Sequence, residues 1–144
     1  MIPCGLGCRD TLRLEMAYPL YGHELTDEIT PLEADLNWVV KLNKGDFLGR
    51  EVLIQQKEKG LQKKRVGFVM KEKGIARENY SIFYEDKKIG SVCSGTYSPS
   101  LDKNIGCGYV PVTFAKIGSI FQIEIRDKKL TAEVVATPFY KRSK

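Results

Sequence analysis

The sequence predicts an α+β fold made of a mainly helical front part, residues 1–60, and a small antiparallel β-barrel or β-sandwich, residues 61–144. Helical spacing occurs in the front part, whereas the residues after Gly60 alternate between apolar and polar types in short runs. Charged turns at residues 85–88 and 127–129 separate these runs. About five or six strands of this kind are typical of a small barrel or sandwich.

The front part begins with a predicted helix over residues 6–13, where Arg9 and Arg13 lie one helical turn apart. The following "LRLE", residues 12–15, alternates between leucine and charged residues, so we expect the helix to give way to an extended segment there. Pro19 then interrupts regular structure.

Two further elements are expected before the barrel. Thr30 and Pro31 predict a short helical turn that leads into a strand containing Trp38, Val39 and Val40. The segment "DFLGREVLIQQKEKG" predicts a helix with Asp46 as its N-cap and Gly60 at its end.

These front elements are too short to bury their apolar faces against one another, and an isolated strand is marginally stable. We therefore expect residues 1–60 to be the tail of a larger domain that packs against a further part of the protein, leaving apolar surface exposed. In the second part, Tyr97, Ser98 and Pro99 are expected to form a wide loop between two strands.

Charge permits a polyanionic partner but does not require one. The net charge is +5, from 23 Lys and Arg against 18 Asp and Glu, and much of the excess lies in predicted turns. A nucleic-acid-binding barrel needs exposed aromatic rings among the basic residues. The aromatic residues instead lie in strands that alternate like core strands, namely Phe68, Phe83, Tyr84 and Phe121. No nucleic-acid partner is predicted.

Several other classes of protein lack support. No apolar run approaches the length of about 20 residues that spans a bilayer, and no signal segment is visible, so a cytoplasmic protein without a membrane partner is expected. The single His23 and the spacing of the cysteines, Cys4, Cys8, Cys93 and Cys107, do not favour a metal site, so free thiols are expected. Neither a serine-nucleophile motif nor a phosphate-binding glycine loop is present.

The charged group within "GLGCRDTLRLE" is the clearest candidate site, and it comprises Arg9, Asp10, Arg13 and Glu15. Spacing alone favours two ion pairs on an exposed helix face, each contributing about 0–1 kcal/mol. The functional alternative is an arginine that binds a ligand carboxylate through its planar guanidinium group.

Five motifs, in this order and spacing, resemble the carboxy-terminal part of the glycine cleavage system T protein, a tetrahydrofolate-dependent aminomethyltransferase. They are "GLGCRDTLRLEMAYPLYGHEL", "TPLEADLNWVVK", "DFLGREVL", "SGTYSPSLDKNIGCGYVP" and "TPFYKR". The resemblance covers essentially the whole chain. It implies that residues 1–60 form the end of a folate-binding middle domain and that residues 61–144 form a Greek-key β-barrel domain.

The resemblance also implies roles for particular residues. Arg9 corresponds to the family arginine that binds the folate substrate, and Cys8 replaces the usual alanine without moving Arg9 out of register. Arg65 occupies a family position that we interpret as structural, and Tyr140 is only an approximate counterpart of a folate-contacting tyrosine. The residues expected to support Arg9 are Asp10, Arg13 and Glu15. The catalytic aspartate and the pterin-binding glutamate of the family are expected before Met1, so no catalytic residue is assigned here.

The reaction implied is transfer of a methylene carbon from the aminomethyl-lipoyl group of the H protein to tetrahydrofolate, with release of ammonia. The expected partners are therefore the lipoylated H protein and the amino-terminal part of the T protein. Without that part, the chain is expected to be inactive.

Two related families remain as alternatives. Sarcosine and dimethylglycine dehydrogenases share the two domains, but "LYGHEL" and "TPFYKR" resemble the T protein more, and no flavin-binding region is visible. The folate-binding iron–sulfur assembly factor carries "KGCYxGQE", whereas this chain reads "KGDFLGRE" at residues 44–51 and lacks that cysteine.

Overall fold

A computed structural model describes residues 2–142. Two α-helices precede the sheet, α1 at Leu6–Glu15 and α2 at Arg50–Lys59. Six strands follow, β1 (Lys63–Met70), β2 (Ser81–Tyr84), β3 (Lys87–Ser98), β4 (Lys103–Pro111), β5 (Ile120–Ile125) and β6 (Lys128–Val135). A 3₁₀ turn at Val112–Phe114 links β4 to β5.

The six strands form a closed antiparallel barrel in the order β1-β4-β3-β2-β5-β6. Three consecutive strands, β2 to β4, lie side by side, and β1 lies beside β4, which is the Greek-key arrangement. Closure removes the free sheet edges. The barrel alternative is thus confirmed, and the predicted α+β class is confirmed with it.

The barrel interior contains the alternating apolar residues of the strands. Phe68 and Phe121 meet edge to face there, with ring centroids 5.7 Å apart, and Ile82 and Ile123 are fully buried. The prediction that all four strand aromatic residues lie in core-like positions is correct for Phe68 and Phe121 and wrong for the two in β2: Tyr84 is 44% exposed, and the half-buried Phe83 lies outside the core with Lys129 over its ring.

The helix α1 extends further than the sequence predicts. Residues 12–15 belong to its last turn, not to an extended segment. The apparent alternation is misleading because the two leucines have different surroundings: Leu14 is fully buried against the barrel, whereas Leu12 is 55% exposed. Helical hydrogen bonding continues to the end of α1, since the amide of Met16 donates to the carbonyl of Leu12.

The strand predicted at Trp38 to Val40 is also wrong, because Trp38 and Val39 lie in a turn and Val40 has no regular secondary structure. A strand needs a neighbour to satisfy its backbone groups, and among residues 2–142 no strand pairs with this segment. Trp38 is 70% exposed. Asp46 is not the N-cap of α2, since its carboxylate accepts from the amide of Phe47 and the helix begins after Gly49.

The end of α2 at Gly60 agrees with the prediction, and this glycine has a φ of 83°. The loop predicted at residues 97–99 begins later, since β3 continues through Ser98. Ser98 is fully buried, and Tyr97 is exposed with its hydroxyl donating to Asp102 at 2.7 Å.

Gly90 lies where β3 crosses close to β4, and replacing it should destabilise the barrel. An added Cβ would overlap the carbonyl oxygen of Tyr109, a backbone atom that cannot rotate away. We expect Gly90→Ala to lower the free energy of unfolding by about 3 kcal/mol, measured by urea denaturation. Gly7→Ala is the matched control, because its Cβ meets nothing within 4 Å and should stabilise α1 by about 0.5–1 kcal/mol. Equal effects of the two variants would contradict this packing.

Candidate functional site

Helix α1 carries the candidate site and is held against the outer wall of the barrel. It contacts β3 and β4. Leu14 is its buried apolar contact, in a cluster with Ile105 and Cys107. Successive residues of an α-helix are rotated by about 100°, so Arg13 and Glu15 project on either side of Leu14. Both make hydrogen bonds that fasten the helix to neighbouring segments.

Arg13 is the centre of the first set of bonds. Its Nε and Nη2 donate to Asp10 Oδ1 at 2.8 and 2.6 Å, within the same helix. Nη1 donates to Glu24 Oε2 at 2.8 Å, and Nη2 donates to Ser94 Oγ on β3 at 2.8 Å. Burial alone lowers the pKa of Arg13, but the hydrogen bond to Asp10 and the charge of Glu24 outweigh it and raise that pKa, so the guanidinium stays charged.

Glu24 is the buried partner of this arginine, and sequence reasoning missed it. Its side chain is 1% exposed. Besides Arg13, its Oε2 accepts from the amide of Leu20 at 2.9 Å, and its backbone carbonyl accepts from the hydroxyl of Tyr109 on β4 at 2.8 Å. The available signal was a glutamate in the mostly apolar stretch "AYPLYGHEL", which favours a buried and paired carboxylate.

Glu15 makes the second set of bonds. Its carboxylate accepts from Ser98 Oγ at 2.5 Å and from Ser100 Oγ at 3.1 Å. Its backbone carbonyl accepts from the amide of Tyr140 at 3.0 Å. Glu15 is itself 3% exposed. The expectation from spacing of two ion pairs on an exposed face is correct only for the pair between Arg13 and Asp10. Arg13 also pairs with a buried carboxylate, and Glu15 pairs with hydroxyl groups.

Arg9 lies in the amino-terminal half of α1, one turn before Arg13. It is exposed, and no hydrogen bond or ion pair described within residues 2–142 involves it. The structure does not bring Arg9 into contact with its predicted supports; Asp10, Arg13 and Glu15 instead hold the helix on which Arg9 sits. Its guanidinium is accordingly available to an external ligand, and its role as a folate contact stays a prediction.

Two other residues from the sequence analysis, Arg65 and Tyr140, differ in burial. Arg65 on β1 is 8% exposed, and its backbone amide donates to the carbonyl of Glu33 at 2.8 Å. Tyr140 is 38% exposed and contributes its backbone to the bond with Glu15 described above.

The four cysteines divide into an exposed and a buried pair, which gives a prediction. Cys4 and Cys8 are exposed, while Cys93 and Cys107 are buried under the front part. Burial, the largest cause, raises the pKa of each buried thiol to about 12. We expect Cys4 and Cys8 to react with a disulfide reagent at pH 8 in the folded chain, and all four cysteines to react in urea.

The same thiols predict a loss of stability at high pH. Their folded pKa values lie above the ordinary value of 9.0, so the stabilisation is complete below about pH 9 and is lost as the pH rises towards 12. Urea unfolding at pH 8 and pH 10.5 should show this fall, and Cys107→Ala should reduce it. In the reactivity test, equal reaction rates for the four thiols of the folded chain would contradict the burial of Cys93 and Cys107.

Comparison with known proteins connects this arrangement to a family. A model described as the glycine cleavage T-protein C-terminal barrel domain matches residues 63–141, which is more than half of the chain. This chain belongs to the glycine cleavage T-protein family. A second model, the GCVT N-terminal domain, matches residues 1–44. The predicted family is confirmed.

Related proteins are similar to this chain along essentially its whole length. An aminomethyltransferase of Desulforamulus reducens is 51% identical over 140 residues, covering 97% of this chain and 38% of that protein. One from Lysinibacillus sphaericus is 52% identical and covers 100% of this chain and 39% of the relative. The crystal structure of the glycine cleavage system aminomethyltransferase T from Bartonella henselae matches with a TM-score of 0.90 at 34% identity. The match covers 94% of this chain and 39% of the Bartonella henselae chain.

The T-protein family relatives are thus aminomethyltransferases, and the chain spans about two fifths of the length of those it matches. Neither α1 nor α2, the helices described in residues 2–142, is long and apolar enough to cross a membrane. Within the same residues, no three His, Cys, Asp or Glu side chains form a group that could hold a metal ion.

Proposed function

We propose that the chain is part of the tetrahydrofolate-dependent aminomethyltransferase of the glycine cleavage system. The observation that carries the proposal is the setting of Arg9, an exposed arginine without a described partner on a helix that Arg13 and Glu15 fasten to the barrel. A guanidinium held in this way suits a carboxylate, which it binds through two parallel hydrogen bonds. Tetrahydrofolate carries such groups on its glutamate tail.

The proposed reaction begins with the aminomethyl-lipoyl group of the H protein. N5 of tetrahydrofolate attacks the methylene carbon and the bond from that carbon to the amino nitrogen breaks, so that ammonia leaves with the proton from N5. N10 then attacks the same carbon and the carbon–sulfur bond breaks, giving 5,10-methylenetetrahydrofolate and a dihydrolipoyl thiol that takes up the proton from N10. In this scheme Arg9 binds and orients the folate but does not contact the carbon that is transferred. The lipoylated H protein is the proposed donor, in the cytoplasm.

The domain assignment is part of the same proposal, with residues 1–60 as the end of the folate-binding domain and residues 61–144 as the barrel domain. An apolar groove of about 630 Å³ on the front part supports a covering partner. Leu48 at its edge is completely exposed, and Val39 and Val52 are 49% and 61% exposed. We propose that the remaining portion of the aminomethyltransferase covers this groove and supplies the catalytic aspartate.

Reconstitution tests the proposed function. The chain is measured alone, after mixing with the portion of the Desulforamulus reducens aminomethyltransferase that it does not match, and as a chimera in which it replaces the matched 38%. We expect calorimetry to detect tetrahydrofolate binding only in the mixture or the chimera. Ammonia release should likewise occur only there, and only when aminomethyl-lipoyl H protein is supplied. A folded chimera that binds no tetrahydrofolate would refute the proposal.

The only tryptophan in the chain tests the covering of the front surface. Trp38 is 70% exposed, so we expect its fluorescence to be strongly quenched by acrylamide in the chain alone. Protection should appear when the complementary portion, with its own tryptophans replaced by phenylalanine, is added. Persistent quenching in a mixture that binds tetrahydrofolate would show that Trp38 is not covered.

A further inference from the structure

We infer that Glu24 is a positioning residue for Arg9, acting through Arg13 and the orientation of helix α1. The inference rests on the proposed function for the role of Arg9 itself. The orientation of the helix can be measured without folate.

Helix α1 has little else to hold its front half in place. It has ten residues, and its N-cap position, Gly5, provides no side-chain hydrogen bond. Isolated helices of this length are marginal in water. Every residue from Leu6 to Arg9 is exposed, and the buried residues of the helix are Leu14 and Glu15. The direction in which Arg9 points therefore depends on contacts made by the other end of the helix.

Leu14 fixes the distance of that end from the barrel but allows rotation about the helix axis, because apolar contact is not directional. Arg13 on one side and Glu15 on the other oppose the rotation. Glu15 reaches two serine hydroxyls next to the end of β3, and Arg13 reaches Glu24 and Ser94. Losing the bonds on one side would let the helix rock and carry Arg9 with it.

Glu24 is the strongest of the three partners that Arg13 has outside its own helix, the other two being Ser94 and the backbone carbonyl of Tyr18. Its carboxylate is charged and buried, so its bond to Arg13 is less weakened by water than an exposed pair would be. Glu24 is also fastened to the barrel by the hydroxyl of Tyr109 and to its own loop by the amide of Leu20. The chain of contacts from β4 through Glu24 to Arg13 is thus continuous.

One oxygen of Glu24 makes a conservative variant possible. Oε2 accepts both side-chain bonds, whereas Oε1 is buried and has no hydrogen-bond partner within the described residues. In Glu24→Gln the amide oxygen can replace Oε2 and the amide nitrogen can occupy the position of Oε1. Glu24→Leu has a similar size but removes both bonds. The two variants therefore separate hydrogen bonding from simple occupation of space.

The first test measures tetrahydrofolate affinity in the chimera by a double-mutant cycle. We expect Glu24→Leu to weaken binding by about 10-fold and Glu24→Gln by less than about 3-fold. In an Arg9→Ala background, Glu24→Leu should change affinity by less than about 2-fold, because the group it positions is gone. Equal losses in both backgrounds, or no loss from a folded Glu24→Leu protein, would overturn the inference.

The second test follows helix α1 in the chain alone. A nitroxide is attached to the exposed Cys8 after Cys4→Ser removes the other exposed thiol. We expect Glu24→Leu to increase the mobility of the label, with Lys59→Ala on α2 as a control that leaves it unchanged. Should Glu24→Leu not fold, Ser94→Ala removes the barrel partner of Arg13 without changing Glu24 and must increase the mobility of the label.

The two tests also distinguish the failure of the inference from that of the proposed function. A chimera that binds no tetrahydrofolate refutes the proposed function, and the spin label still decides whether Glu24 orients α1. If folate binds and Arg9→Ala weakens it, unchanged label mobility in both Glu24→Leu and Ser94→Ala overturns the positioning role alone.

Discussion

Arg9→Ala should weaken tetrahydrofolate binding to the chimera by about 10- to 100-fold, because a charge-assisted hydrogen-bonded pair contributes about 1.5–3 kcal/mol. Stability should change little, since Arg9 is exposed and makes no hydrogen bond or ion pair described within residues 2–142. The measurement is calorimetric titration with tetrahydrofolate, accompanied by urea unfolding of the same sample.

Two variants control this result. Arg9→Lys keeps the charge but not the planar pair of donors, so its affinity should lie between those of the parent and Arg9→Ala. Lys59→Ala removes an exposed positive charge from α2 and should leave affinity within about 2-fold, since exposed charges away from the ligand are screened by salt. An Arg9→Ala chimera that binds as tightly as its parent would refute the assignment of Arg9.

Arg13→Met should be the most destabilising change of a charged residue in α1, lowering the free energy of unfolding by about 3–5 kcal/mol. The side chain of Arg13 is 10% exposed and that of Glu24 is 1% exposed. Methionine preserves much of the volume but leaves the Glu24 carboxylate buried without its cation. Urea denaturation of the chain measures the loss.

The second half of the Arg13 prediction concerns rescue. Glu24→Gln combined with Arg13→Met should be more stable than Arg13→Met alone, because the double variant no longer buries an uncompensated charge. Asp10→Asn is the matched control, since the side chain of Asp10 is 48% exposed and its pairing with Arg13 should contribute about 1 kcal/mol or less. A loss below about 1 kcal/mol in Arg13→Met would show that the buried pair does not anchor the helix.

Local patterns were sufficient to predict the second part of the fold. Alternation in the strands, the charged turns and the end of α2 at Gly60 depend on neighbours close along the chain. The structure agrees with them, except that the turns are shorter than predicted because Lys87 and Lys128 already begin β3 and β6. Where a prediction needed a distant neighbour it was wrong. The segment around Trp38 has strand-forming residues, but a strand needs a pairing partner that residues 2–142 do not provide.

By itself, the sequence determined that the second part is an antiparallel barrel or sandwich, indicated the T-protein family by resemblance, and drew attention to the charged motif on α1. Only the tertiary structure decided how those charges are used: Glu15 meets Ser98, which lies 83 residues further along the chain, and Arg13 meets Ser94, 81 residues away. Such partners could not be read from spacing, because a charge pairs with whichever polar group the closed barrel brings near it. The same physical reason separates the exposed Arg9 from Arg13 one turn later, which pairs with the buried Glu24.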